Sequence, residues 1–230
     1  MRVLNRDQAA TLLQATAGTD LGDVVLMAVH SGLRLGELLA VRWSDLDLGT
    51  GELRIQQTVI RLKGGQVTFG QPKTHRSRRA VSVATSVLEM LRRRRAEQVE
   101  QARLMGPAYV SQGLAFADAL GGVLDQDRLR RRFYAELERN RLPRIRLHDL
   151  RHTAATLLLG LGVHPKIVSE RLGHSTVNIT LDTYSHVLPG LQAEAAKRLD
   201  DWLAEGSTDE NGGGVVSISD LRSSAAEGKA

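Results

Sequence analysis

Apolar residues fall into two rhythms along this chain, and most of it follows the helical one. In residues 4–17, Ala9, Leu12 and Leu13 mark one face at helical spacing, and Asn5 stands where a cap is needed. Residues 18–20 interrupt the pattern; 21–30 are apolar on nearly every side, which predicts a buried helix. Gly32 permits a tight turn, and 35–39 resume a helix, so Arg34 falls at the junction of two apolar helices. Residues 43–47 read as a loop. The period then shortens to two: residues 52–60, 66–69 and 79–83 alternate and predict three strands, with Gly64-Gly65 as a hairpin turn. Helical spacing returns in 84–103 and 125–140, separated by a glycine-punctuated stretch with no assignable period. A further helix begins at Asp149 or Thr153 and runs through an apolar stretch to Gly160. Residues 166–172 follow, opened by Pro165 and closed by Gly173; then come 178–187 and an amphipathic helix over 191–203.

This pattern predicts an α+β fold that is mainly α-helical: a helical domain over residues 1–205 with a small three-stranded antiparallel sheet. Residues 206–230 turn polar and glycine-rich and are expected to be a flexible tail.

Composition sharpens the picture. The chain of 230 residues is 42% hydrophobic but only 3% aromatic, so its core must be aliphatic. A formal charge of +5, carried largely by arginines in runs, favours a polyanionic partner. With no cysteine, a disulfide framework, thiolate zinc sites and thiol catalysis are excluded. The N-terminus lacks a basic-then-apolar signal pattern, and no apolar run reaches the roughly 18 residues of a membrane span. A soluble, cytoplasmic protein is expected.

The candidate chemistry lies between Leu147 and His186. A buried helix carries His148, Arg151 and His152 near its start, His174 ends the next helix, and Tyr184 is on the third. With Arg34 and Lys73 from upstream, this inventory suits a phosphodiester. Two guanidiniums can hold its non-bridging oxygens, a histidine and a lysine can move protons, and a phenol can attack. Glu37, three residues after Arg34, can fix that guanidinium across one helical turn. The basic turn with His75, Arg76, Arg78 and Arg79, and the extended lead-in with Arg144 and Arg146, suit contacts to a DNA backbone. Arg92 to Arg95 point around a whole helix, so at least two of them are expected on a solvated face. His148 and His152, four apart, also suit two zinc ligands. That hydrolase reading is weak, because Arg151 intervenes, Asp149 stands where a glutamate is needed, and no third ligand is obvious.

Five motifs in order carry a resemblance: Gly32-Leu33-Arg34-Leu35-Gly36-Glu37-Leu38, Pro72-Lys73-Thr74, His148-Asp149-Leu150-Arg151-His152-Thr153, Leu172-Gly173-His174 and Thr183-Tyr184-Ser185-His186. Over about residues 1–205 the chain resembles the catalytic domain of the tyrosine recombinase, or phage integrase, family. The resemblance implies Arg34 and Arg151 as a phosphate clamp, His148 as acid/base partner and Lys73 as general acid on the 5′ oxygen. It implies His174 as a hydrogen bond to a phosphate oxygen, Glu37 as a supporting acid, and Tyr184 as the nucleophile that forms a 3′-phosphotyrosyl bond. It further implies cleavage and rejoining of double-stranded DNA without metal, cofactor or ATP, by protomers that assemble on DNA as a tetramer. The helix 191–203 would dock onto a neighbour. Members usually carry a helical core-binding domain first; here the motifs begin close to Met1, and that domain is expected to be absent. His152 is expected to be a hydrogen-bonded support outside the reacting shell. The rival readings are a non-catalytic DNA-binding remnant and a type IB topoisomerase, which shares the chemistry.

Overall fold

A computed structural model describes residues 2–62, 66–71, 78–184 and 191–205 of the chain. It comprises two units, Met1–Leu188 and Pro189–Ala230. Helix α9 (Leu191–Glu205), expected as the last element of the larger body, belongs to the second unit. The tail at 206–230 lies outside the described residues.

In the first unit, α1 (Arg6–Thr16) starts where Asn5 predicts. The Asn5 side chain accepts from the Gln8 backbone at 2.9 Å, and the Gln8 side chain accepts from the Asn5 backbone at 3.0 Å, closing a reciprocal cap. Just before it, the Leu4 backbone N–H donates to the Thr153 hydroxyl, so the start of the chain is tied to the helix that carries the candidate site. Helix α2 (Asp20–Ser31) is buried on most sides, and α3 (Leu35–Leu39) follows after the turn at Gly32. Helix α4 (Thr85–Met105) and α5 (Gln126–Arg139) frame the unpatterned stretch. Helices α6 (Asp149–Gly160), α7 (Pro165–Leu172) and α8 (Val177–Tyr184) complete the unit. All begin within two residues of expectation.

The strands depart from expectation. Leu46–Asp47, read as loop, is a short strand β1. The single strand expected at 52–60 is two, β2 (Glu52–Ile55) and β3 (Thr58–Arg61). The adjacent glutamines 56 and 57 separate them, and the Gln57 side chain donates to the Ala40 carbonyl at 3.4 Å. β3 pairs antiparallel with β4 (Val67–Gly70), and β5 (Arg79–Ser82) pairs instead with β2. A three-stranded antiparallel sheet therefore exists, but its order is β1–β2–β5, beside a separate β3–β4 ribbon.

Aliphatic side chains dominate the main core, which gathers α1, α2, α3, α4, α5 and the first turn of α6 around Leu12, Val24, Leu38, Leu91, Phe133 and Leu150. A second, smaller cluster joins Ala155 and Leu159 of α6, Val168 and Leu172 of α7, and Tyr184 of α8. Three of the Arg92–Arg95 run, Arg92, Arg93 and Arg95, are exposed, in keeping with the expected solvated face, and Arg94 is buried. Arg92 donates to the Leu48 carbonyl, Arg93 pairs with Asp23 and Glu97, and buried Arg94 pairs with Asp20 and Asp23. Arg95 lies over the Trp43 ring.

Candidate active site

Gly32 is the hinge on which the site turns. It ends α2 in the left-handed conformation, with φ of 66°, and an added Cβ would lie 2.6 Å from a Leu172 methyl carbon. Its carbonyl oxygen accepts from Arg151 Nη1 at 2.8 Å. A turn between two helices thus fixes a guanidinium projecting from a third. Arg151 is 3% exposed, and its Nη2 is buried with no hydrogen-bond partner. Leaving such a donor unpaired costs about 1–3 kcal/mol, which an incoming anionic oxygen would recover. Burial and the charge of Arg34 bring its guanidinium down to about 9, so it stays charged at neutral pH.

Arg34 sits immediately before α3 and is more open. Its Nη1 meets Glu37 Oε1 at 2.8 Å, and its backbone N–H donates to Oε2 at 3.0 Å. Glu37 itself is 3% exposed. Its second charged partner is Arg79 of β5, whose Nη2 lies 3.0 Å from Oε2 and whose Nε donates to the Arg171 carbonyl. Burial works to raise the Glu37 carboxyl, but Arg79 and Arg34 together hold it below the usual range. Arg79, expected among the DNA-facing cations, is thus turned inward as a support for Glu37. No local pattern announces that pairing: the residues are 42 positions apart and meet only because β5 lies beside α3.

The α6 helix presents His148, Arg151 and His152 within little more than one turn. The rings of His148 and His152 meet edge to face at 5.9 Å between centroids. Burial first, and then the neighbouring cations, lower both imidazoles below their ordinary value. Asp149 faces away from this chemistry: its carboxylate accepts from the Arg146 backbone and from the Arg146 guanidinium at 2.7–3.2 Å. His174, just after α7, shares a 2.8 Å hydrogen bond between its Nδ1 and the buried Thr180 hydroxyl. Burial, then the charges of Arg151 and Arg34, push His174 down to about 4, leaving it neutral at pH 7.

Tyr184 ends α8 and is fully buried against the small cluster of α6 and α7. The sequence suggests a helix presenting its phenol; the apolar faces of Ala155, Leu159, Val168 and Leu172 enclose it instead. Its hydroxyl lies 2.7 Å from His152 Nδ1. Desolvation pushes the phenol up to about 12, with Arg151 pulling the other way. His152 is therefore the residue that sequence reasoning set aside and the fold puts in contact with the candidate nucleophile. The available signal was its position one helical turn beyond His148.

Lys73, His75 and Arg76 lie outside the described residues. Arg78 is close by, donating to Gln71, while Arg144 stacks over the Tyr134 ring at 4.6 Å. An open groove of about 750 Å³ passes His174, lined by Arg78, Arg79, His164, Lys166, Ser169 and Gly173 among others. No group of three His, Asp or Glu side chains able to hold a metal occurs among the described residues. With Asp149 tied to Arg146 and His152 to Tyr184, the zinc-site geometry that the His148–His152 spacing allowed is not the one found.

Residues 2–190 match the family model described as the phage integrase family. The chain belongs to the phage integrase family. Among relatives of this family, it is 36% identical over 206 residues to a tyrosine recombinase XerC-like protein of Caldanaerobacter subterraneus subsp. tengcongensis. That match covers 85% of this chain and 53% of the relative. It is 34% identical to the ICEBs1 integrase of Bacillus subtilis, over 77% of this chain and 48% of the relative. The chain thus spans about half the length of the curated relatives it matches. The integrase fold is also found in the structure of the Tn1549 transposon integrase in complex with circular intermediate DNA. That structure has a TM-score of 0.72 and 22% identity, over 86% of this chain and 67% of the other. The XerA recombinase superposes with a TM-score of 0.64 at 20% identity, over 86% and 65% of the two chains.

Proposed function

We propose that this chain carries the strand-cleaving and rejoining domain of a site-specific DNA recombinase. The observation that carries the reading is the Tyr184 hydroxyl held against an α6 imidazole, on the same helix as a buried Arg151 that has a spare donor. Arg34 and Arg151 would grip the non-bridging oxygens of one phosphodiester and stabilise the charge that grows on them in the transition state. Neutral His174 would donate a further hydrogen bond, its tautomer set by Thr180. Lys73 would protonate the departing 5′ oxygen, and Glu37, held by Arg79, would keep Arg34 in place. His148, influenced by both Arg34 and Arg151, belongs on the phosphate side of the site. Tyr184 would become covalently joined to the 3′ phosphate, conserving the bond for rejoining without ATP, metal or cofactor.

The proposed partner is double-stranded DNA, with His75, Arg76, Arg78, Arg144 and Arg146 along its backbone. Arg79 acts there only through Glu37. Similar proteins support this: the Tn1549 integrase is seen with circular intermediate DNA, and the XerH recombinase with a palindromic difH substrate. Recombination joins two duplexes, so the protomers would act as a tetramer on DNA, in the cytoplasm. No helix among the described residues is long and apolar enough to cross a membrane.

A nicked duplex that traps the covalent intermediate tests the reading, using DNA from either side of the coding sequence. The expected product is a protein–DNA adduct that maps to Tyr184 and is lost in Tyr184→Phe. No adduct, even with the N-terminal part of a full-length relative supplied, would defeat the proposal. Relaxation of supercoiled plasmid without sequence preference would shift it to a type IB topoisomerase.

A further inference from the structure

Cleavage by a tyrosine requires that the phenol lose its proton, and in this protein that loss is difficult. The Tyr184 hydroxyl is buried and held up to about 12, so at neutral pH only about one molecule in 10⁵ carries a phenolate spontaneously. The proton must pass to a base in contact with the oxygen as it attacks. The resemblance assigns acid/base work to His148. The phenol's hydrogen bond among the described residues, however, is to His152, at 2.7 Å from Nδ1. His148 touches His152 ring to ring instead, 5.9 Å between centroids.

We propose that His152 is the base that takes the Tyr184 proton, while His148 serves the phosphate. This rests on the cleavage reading above. The Tyr184 Oη–H bond breaks and its proton moves to His152 Nδ1. The Oη–phosphorus bond forms, and the bond from phosphorus to the 5′ oxygen breaks with its electron pair staying on oxygen. That oxygen takes a proton from the general acid assigned to Lys73. Rejoining runs the same transfers backwards, with the His152 imidazolium returning its proton to the departing phenolate.

The surroundings of His152 suit this role from every side that faces it. On its own helix stand His148, Arg151 and Asp149, with Arg146 from the segment before it, Tyr184 from α8, and His174 across the site. Burial, His148 and the two arginines disfavour the imidazolium, and Asp149 alone favours it while its carboxylate is occupied by Arg146. The ring is thus neutral at pH 7, with a lone pair for the phenol. The same environment makes the imidazolium a strong enough acid to give the proton back.

Single-turnover adduct formation on the nicked duplex between pH 5 and 9 tests the assignment. For the unsubstituted chain, the rate should fall on an acid limb that lies below the ordinary imidazole value of about 6.5, where His152 takes up a proton from solvent. His152→Asn keeps a hydrogen-bonding group but no base; it should lose about 10²–10⁴-fold in rate and lose the acid limb. Free imidazole should restore part of the rate to His152→Ala. His148→Ala should slow the reaction yet keep the acid limb. The proposal is overturned if His152→Asn stays within tenfold of the unsubstituted chain with its limb intact, if the limb disappears in His148→Ala instead, or if His152→Ala speeds cleavage. Should the variants not fold, ¹⁵N resonances of His152 in the unsubstituted chain decide: a proton resident on Nδ1 at pH 7 overturns the base role, and an unprotonated Nδ1 supports it. Absence of adduct from the unsubstituted chain counts against the cleavage reading, and His152 is then judged on that tautomer.

Discussion

Glu37 shows how one buried carboxylate organises residues from three parts of the chain. It ties Arg34, at the start of α3, to Arg79 on β5, and Arg79 in turn reaches the end of α7 through the Arg171 carbonyl. The pair with Arg79 is almost completely shielded, with 7% and 3% of the two side chains exposed. Arg79→Ala leaves the buried Glu37 carboxylate with Arg34 alone as its charged partner. It should cost about 1–3 kcal/mol of unfolding free energy in urea. The double variant Arg79→Ala, Glu37→Leu should lose less than the single, since it leaves no buried anion. An Arg79→Ala protein as stable as the parent would contradict this account. The pairing of Arg34 with Glu37 was legible, because three-residue spacing on a helix brings them together. Arg79 was not, because a strand residue's inward or outward direction depends on which strand it pairs with.

At the level of elements, the helices were readable and the sheet only partly so. Helical faces repeat over ten or more residues, so a few misplaced polar residues do not hide them, and caps such as Asn5 and Asp125 mark their starts. Four-residue strands offer two inward positions each, too few to show where 52–60 breaks or that β5 returns to β2. The α2–α3 turn is the element on which the site depends. Gly32→Ala puts a Cβ in the left-handed region and against Leu172, which should destabilise by about 1–2 kcal/mol. It should also loosen Arg151, whose Nη1 is anchored on the Gly32 carbonyl. Cleavage should fall by more than the unfolded fraction explains when both are measured on the same preparation; a drop matching unfolding alone would show that the anchor is unimportant.

At the scale of the first unit, its buried histidines favour a loss of stability in acid. His30, His148, His152 and His174 are all lowered from their ordinary value, burial being the first cause each time, and His174 reaches about 4. An unfolded chain takes up protons at these histidines near pH 6.5, where the folded one does not, so stability falls as pH drops from about 6.5 toward 4. Glu37 acts in the same direction lower down. Its folded carboxyl lies below 4.5, so the stability it contributes is present above that value and is lost as pH falls through the folded one. Urea unfolding at pH 7.5 and pH 5 should differ by on the order of 1–3 kcal/mol, less in His174→Gln. Equal stability at the two pH values would contradict these burial assignments.

The sequence by itself determined the helical class, the caps, the aliphatic core and most of the candidate side chains, because periodicity and motif order are local properties of a chain. Only the tertiary structure decided which strands pair, that Arg79 turns inward onto Glu37, that Tyr184 is enclosed rather than displayed, and that His152 rather than His148 touches it. Each of those depends on which surfaces from distant segments exclude water together, and no spacing along the chain records that.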